Sequence, residues 1–285
     1  MLALATSLDD PPSGRATPIW FDSLAYSREK LLNGAPVPWA SPGELSAFFA
    51  KAQGMFRSDA LLVDLADLYA EQVKHDDALV AAMAARSRPG FALRTLLGDE
   101  AARALAADAM IAIGAGDSST PVVLSVPSPA RWLVIAAHEA GTAHDGSPAP
   151  PHVDAAAMYV ADFLRIFASS RVDGLLLDDG STGEDALAPV EDYRPVLNVA
   201  AHYEWPVWIR TDNAPCWPQG EVEGVAGWLG DRAPLQAVGP WGVVLVADPA
   251  RTAEPVPVTG GGAVLAIVPA AADPDAVMRW VRELP

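Results

Sequence analysis

The sequence predicts an α/β protein, a (β/α)8 (TIM) barrel in a single domain over residues 1–285, and three observations carry that expectation. Short apolar runs rich in Val, Ile and Leu recur along the chain, the pattern of strands buried on both faces of a parallel sheet. Segments of helical period with recognisable caps lie between them. Seven such runs, with an eighth candidate around 255–258, suit a barrel better than an open doubly wound sheet.

The runs are TPIWFDS (17–23), DALLVDL (59–65), PVVLSVPSP (121–129), DGLLLDDG (173–180), PVWIRTD (206–212), WGVVLVADP (241–249) and GGAVLAIVP (261–269). Most stop at a polar or turn residue. Ser41, Pro42 and Glu44 open a helix with a capping box, Ser at the N-cap, Pro at the first helical position and Glu at the third. Further helices are expected over 99–113, 129–140, 152–170, 190–202, 221–232 and 273–284. Residues 1–15 read as an irregular tail, and 141–151 and 250–262 as loops.

Composition narrows the function classes. Nineteen Lys and Arg against 36 Asp and Glu give a formal charge of −17, which disfavours nucleic acid and anionic membrane surfaces as partners. One cysteine, Cys216, forbids an internal disulfide and any multi-thiolate metal site made by one chain. The N-terminus lacks the basic and apolar regions of a signal peptide, and the longest apolar run is about half a membrane span. A cytoplasmic setting is expected, with a small-molecule substrate, no nucleic acid and no membrane partner; a homodimer stays open. Gly260, Gly261 and Gly262 precede a strand instead of following one, and Walker A and GxSxG motifs are missing, so nucleotide binding has no support.

In a barrel the chemistry sits where strands end. Here those ends are acidic: Asp22, Asp64 with Asp67 one helical turn on, Asp178 and Asp179, Asp212, and Asp248, with Arg210 on the strand before Asp212. Carboxylates gathered in one pocket raise one another's pKa, which turns a carboxyl into a general acid or base near neutral pH. The ordinary alternative is that Asp caps the next helix, and Asp248 before Pro249 reads that way. His138, His144 and His152 lie in a loop-rich stretch without metal-site spacing; His138 is the candidate among them because its helix follows a strand directly. Trp20 and Trp208 on strands, and Trp217 and Trp241 beside them, could stack on a ligand at the mouth. Trp132, Trp228 and Trp280 fall at helical spacing and read as packing.

The order of segments resembles the uroporphyrinogen decarboxylase superfamily, barrels that include corrinoid-linked methyltransferases and the catalytic half of cobalamin-independent methionine synthase. TPIWFDSLAYSREKLL is similar to the family's first strand and loop, and PWASPGELSAFFAKAQGMFRSDALLVDLADLY to its following loop, helix and second strand. PVVLSVPSPARWLVIAAHEAG, HVDAAAMYVADFLRIFASSRVDGLLLDDGSTG and GGGAVLAIVPAAADPDAVMRWV resemble later strand and helix units. The resemblance implies a site aspartate at Asp64 or Asp67. It departs at the paired arginines after the first strand, where Asp22, Ser23 and Tyr26 stand, and at the family's Tyr and His positions. The zinc ligands of the methyltransferases are replaced in IRTDNAPCW by Arg210 and Asp212.

The leading expectation is therefore a divergent lyase performing decarboxylation or C–C cleavage on a small organic substrate other than uroporphyrinogen. Asp64, Asp67, Asp178, Asp212 and His138 are the catalytic candidates. Asp22, Ser23, Tyr26, Trp20, Arg210, Asp179 and Trp208 are the substrate-binding ones. Three alternatives stand beside it: a methyltransferase or demethylase with a corrinoid or folate, a catalytically silent binding or scaffold barrel, and an Mg²⁺ or Mn²⁺ site on the aspartates.

Overall fold

Continuous apolar runs become strands here because each finds cover on two sides. A computed structural model describes residues 4, 8–116, 119–142, 147–180, 188–211, 222–230, 243–247 and 263–283. Among them the strands are β1 (Ile19–Asp22), β2 (Leu61–Asp64), β3 (Val122–Pro127), β4 (Gly174–Asp178), β5 (Val207–Arg210), β6 (Gly227–Gly230), β7 (Val243–Ala247) and β8 (Val264–Ile267). They form one eight-stranded sheet in the order β1-β8-β7-β6-β5-β4-β3-β2, and every neighbouring pair is parallel.

The described helices are α1 (Leu24–Leu32), α2 (Pro42–Phe56), α3 (Leu65–His75), α4 (Asp77–Met83), α5 (Phe91–Gly98), α6 (Glu100–Gly114), α7 (Pro129–Glu139), α8 (Pro150–Leu164), α9 (Arg194–His202) and α10 (Pro274–Glu283). Five start on side-chain caps that satisfy orphan amides: Asp64 accepts from Ala66 N, Asp76 from Leu79 N, Asp99 from Ala102 N, Ser128 from Arg131 N and Asp273 from Ala276 N. No helix among the described residues is long and apolar enough to cross a membrane.

Strand alternation divides the core in two. Val63, Leu124, Leu175, Leu177 and Ile209 pack outward against the helices. Trp20, Val123, Leu176, Trp208, Leu229 and Leu265 pack together on the opposite face. The sheet curls far enough for Trp20 on β1 to meet Trp208 on β5 edge to face, with ring centroids 5.0 Å apart, although three strands lie between them in the hydrogen-bonded order.

β1 and β2 stand at the two ends of that order and are joined differently. Asp59 N donates to Ile19 O at 2.8 Å, Ile19 N to Asp59 Oδ2 at 2.9 Å, and Phe21 N to Ser58 Oγ at 3.0 Å. Two side chains thus take amides that a strand partner would otherwise satisfy.

Two expectations change. The segment 221–232, read as a helix, contains β6; Val222, Val225, Trp228 and Leu229 mimic a helical stripe, but ladders to β5 and β7 on both sides favour the strand. Trp228 is buried as packing, on a strand and not a helix. The supposed irregular tail places Leu4 and Leu8 in the same cluster as Trp20 and Trp208. The strand candidate at 255–258 lies outside the described residues.

Candidate active site

All strands point the same way, so the residues two positions beyond each inward aromatic or aliphatic side chain gather at one end. Asp22 follows Trp20, Asp64 follows Leu62, Ser125 follows Val123, Asp178 follows Leu176 and Arg210 follows Trp208. Those five residues line a single cavity of ≈ 50 Å³ at the carboxyl ends of the strands, and Ser23 borders it. Trp20 and Trp208 lie one layer deeper, fully buried against each other, and do not line the cavity as stacking surfaces at its mouth.

The charges are arranged in pairs. Arg210 Nη1 donates to Asp22 Oδ2 at 3.2 Å. Arg131, in the first turn of α7, pairs with Asp178, whose Oδ1 also accepts from Gly180 N at 2.9 Å. Gly180 has φ +51°, and a Cβ there would stand 2.4 Å from Arg131 Nη1, so glycine lets the guanidinium approach.

Among the described residues no cation pairs with Asp64 in this way. Its Oδ1 accepts from Ala66 N at 2.9 Å as the cap of α3. Burial pushes its carboxyl up to about 7; the Ala66 amide opposes the rise, and Asp22, Asp178 and Asp67 add like-charge repulsion. Asp22 is also raised, chiefly by burial, with Arg210 pulling it back and Asp178 pushing it up. With Asp64 protonated, the two Asp–Arg pairs leave the group without net charge.

Several candidates stand elsewhere. Asp179 points to the other side of β4, where Ser128 Oγ and Tyr193 OH donate to its Oδ1, the latter at 2.9 Å. Burial raises it to about 6 against those two hydrogen bonds. It ties β4 to the start of α7 and to the 3-10 turn at Val190–Tyr193. Replacing Tyr193 by Phe removes a donor to a buried carboxylate and is expected to lower the unfolding free energy by about 1.5–3 kcal/mol, read from urea denaturation.

Asp67 accepts from Arg28 Nη1 at 3.2 Å and Trp39 Nε1 at 3.1 Å, fastening α3 to α1 and the following loop. Tyr26 packs on Phe56 in the outer layer, ring centroids 5.8 Å apart. His138 is the histidine candidate because its helix follows a strand directly. α7 runs back toward the far end of the sheet, so its last turn carries His138 away, with the side chain 80% exposed. Asp212, Trp217, Trp241, His144, Cys216 and Asp248 lie outside the described residues.

Ser125 is the site residue that sequence reading missed. It pairs in register with Asp64 across β2 and β3, and the available signal was a lone hydroxyl inside the apolar run VVLSVP. Among the described residues no group of three or more His, Cys, Asp or Glu is placed to hold a metal ion. Asp22 and Asp178 are instead turned to arginines. No protein-family model matches the chain, and none of the curated proteins matches it.

Proposed function

We propose that the sheet is a closed (β/α)8 barrel of the uroporphyrinogen decarboxylase-like kind, and that its mouth performs acid/base lyase chemistry, decarboxylation first, on a small organic acid. The contact of Trp20 with Trp208 and the Ser58 and Asp59 bonds to β1 support closure. One observation carries the chemistry: Asp64, held near neutrality at about 7, shares a cavity with an arginine-bearing wall.

Arg210 would receive a substrate carboxylate, with Asp22 holding the guanidinium in place. The protonated Asp64 would deliver its proton to the carbon that loses CO2. Ser125, opposite Asp64 in register, would orient the substrate through its hydroxyl. With Asp64 protonated and Asp22 and Asp178 paired to arginines, the pocket would admit an organic anion that a bare ring of aspartates would repel.

The carboxyl titration of Asp64, followed by ¹³C NMR and assigned by its absence in Asp64→Asn, tests the reading. A midpoint near 7 is expected. A midpoint at the ordinary aspartate value of ~3.9 would overturn it.

A further inference from the structure

The cavity that holds Asp64 does not stop at the strand ends. It continues along the seam between β1 and β2, past Phe21 and Leu62, to Ala52 and Gln53 on α2. A second cavity of ≈ 340 Å³, reaching Pro12, Gly116 and Thr120, lies at the far side of α2. Phe49, Gln53, Ser58 and Leu61 line both, so the two share a wall. The seam exists because β1 gives its amides to Ser58 and Asp59 side chains.

Two buried polar atoms belong to residues lining the first cavity and meet no hydrogen-bond partner among the described residues: Ser27 Oγ and Gln53 Oε1. Ser27 is wholly buried. The Gln53 amide is oriented by its own donors, since Nε2 reaches Ser58 O at 2.8 Å and Thr120 Oγ1 at 3.2 Å, which leaves Oε1 as an acceptor. Buried polar groups of this kind are satisfied by ordered water, and one water needs only ~10–15 Å³ of such space. The cavity provides ≈ 50 Å³.

We propose that ordered water fills the seam and links Asp64 to solvent on the α2 side, opposite the mouth, as a proton path. Its purpose rests on the decarboxylation reading. When the C–C bond to the carboxylate breaks, CO2 leaves without a proton and the electron pair stays on carbon. The Asp64 proton forms the new C–H bond, leaving a carboxylate that must regain one proton from solvent in each turnover. Water in the seam supplies it while substrate occupies the mouth.

Two measurements on the wild-type protein decide the matter: ¹⁷O water relaxation dispersion, which detects long-lived internal water, and crystals pressurised with xenon, which enters dry apolar cavities. Internal water and no xenon in the seam are expected; xenon between Phe49 and Ala52 would overturn the proposal. Ala52→Leu, which fills the passage, is expected to lose the internal-water signal with its circular dichroism unchanged. An unchanged signal in that folded variant would also overturn it, and if the variant does not fold the wild-type pair of measurements stands alone. A dry seam leaves the Asp64 titration untouched, whereas an ordinary Asp64 midpoint with a wet seam removes the chemistry and keeps the water.

Discussion

Asp59→Ala is expected to cost about 3–5 kcal/mol of stability, the range for removing one partner from a buried charged network. Asp59 is fully buried and accepts from Ser13 N at 2.8 Å, Ser13 Oγ at 3.0 Å and Ile19 N at 2.9 Å, with Arg15 Nη1 at 3.6 Å. Alanine would strand the Ile19 amide in the core and leave Arg15 facing no carboxylate. Its hydrogen bonds to Arg57 O and Phe56 O would remain. At roughly 2–4 °C per kcal/mol for a large domain, the melting temperature should fall by on the order of 10 °C. Asp59→Asn keeps one acceptor and should fall by less. Calorimetry checks both, and an alanine variant melting with the wild type would show that the seam is held by something else.

Asp64→Asn is the second large effect, and it separates chemistry from structure. Asparagine caps helices as well as aspartate, so the start of α3 should survive. Release of CO2 from a panel of small carboxylic acids is expected to drop by about 10²–10⁴-fold, the usual contribution of a positioned acid. Stability should respond in the opposite sense. The folded carboxyl keeps its proton up to about 7, whereas the unfolded chain loses it near 3.8. Between those values the folded state binds more protons, so this group lowers wild-type stability as pH rises through the window and no further above it. Asn has no proton to lose. The variant should therefore gain on the wild type from about pH 4 to about pH 7, in urea titrations across that range. Equal turnover, or a constant stability difference over the window, would sink the assignment.

Much of the sheet is legible in the sequence because parallel strands need apolar cover on both faces, which leaves continuous runs such as VVLSVP and GLLLD. Once strands point one way, alternation alone carries Asp22, Asp64, Asp178 and Arg210 to one end. The failures have equally physical causes. Asp179 is adjacent to Asp178 in sequence but on the opposite side of the strand. His138 follows from a correct helix read without its direction. β6 is four residues long, and only its neighbours distinguish it from a helix. The Ser58 and Asp59 bonds join residues about 40 positions apart, a pairing that no local pattern announces.

The sequence gathers carboxylates at the strand ends, where like charges raise one another's pKa. The structure sets two of them beside Arg210 and Arg131, and a third, Asp64, is pushed up to about 7, chiefly by burial.

Leu4 has a consequence of another kind. A Cβ added to Gly174 would stand 2.6 Å from Leu4 Cδ2 and 3.0 Å from Trp208, so the leucine sits in a niche built by β4 and β5. Leu4 and Trp208 stand some two hundred positions apart, so their contact closes a long loop. Such closures are entropically costly and slow. The Leu4 contact is therefore expected to form late in folding, and a refolding phase sensitive to Leu4→Ala but not to Asp64→Asn is the expected kinetic signature.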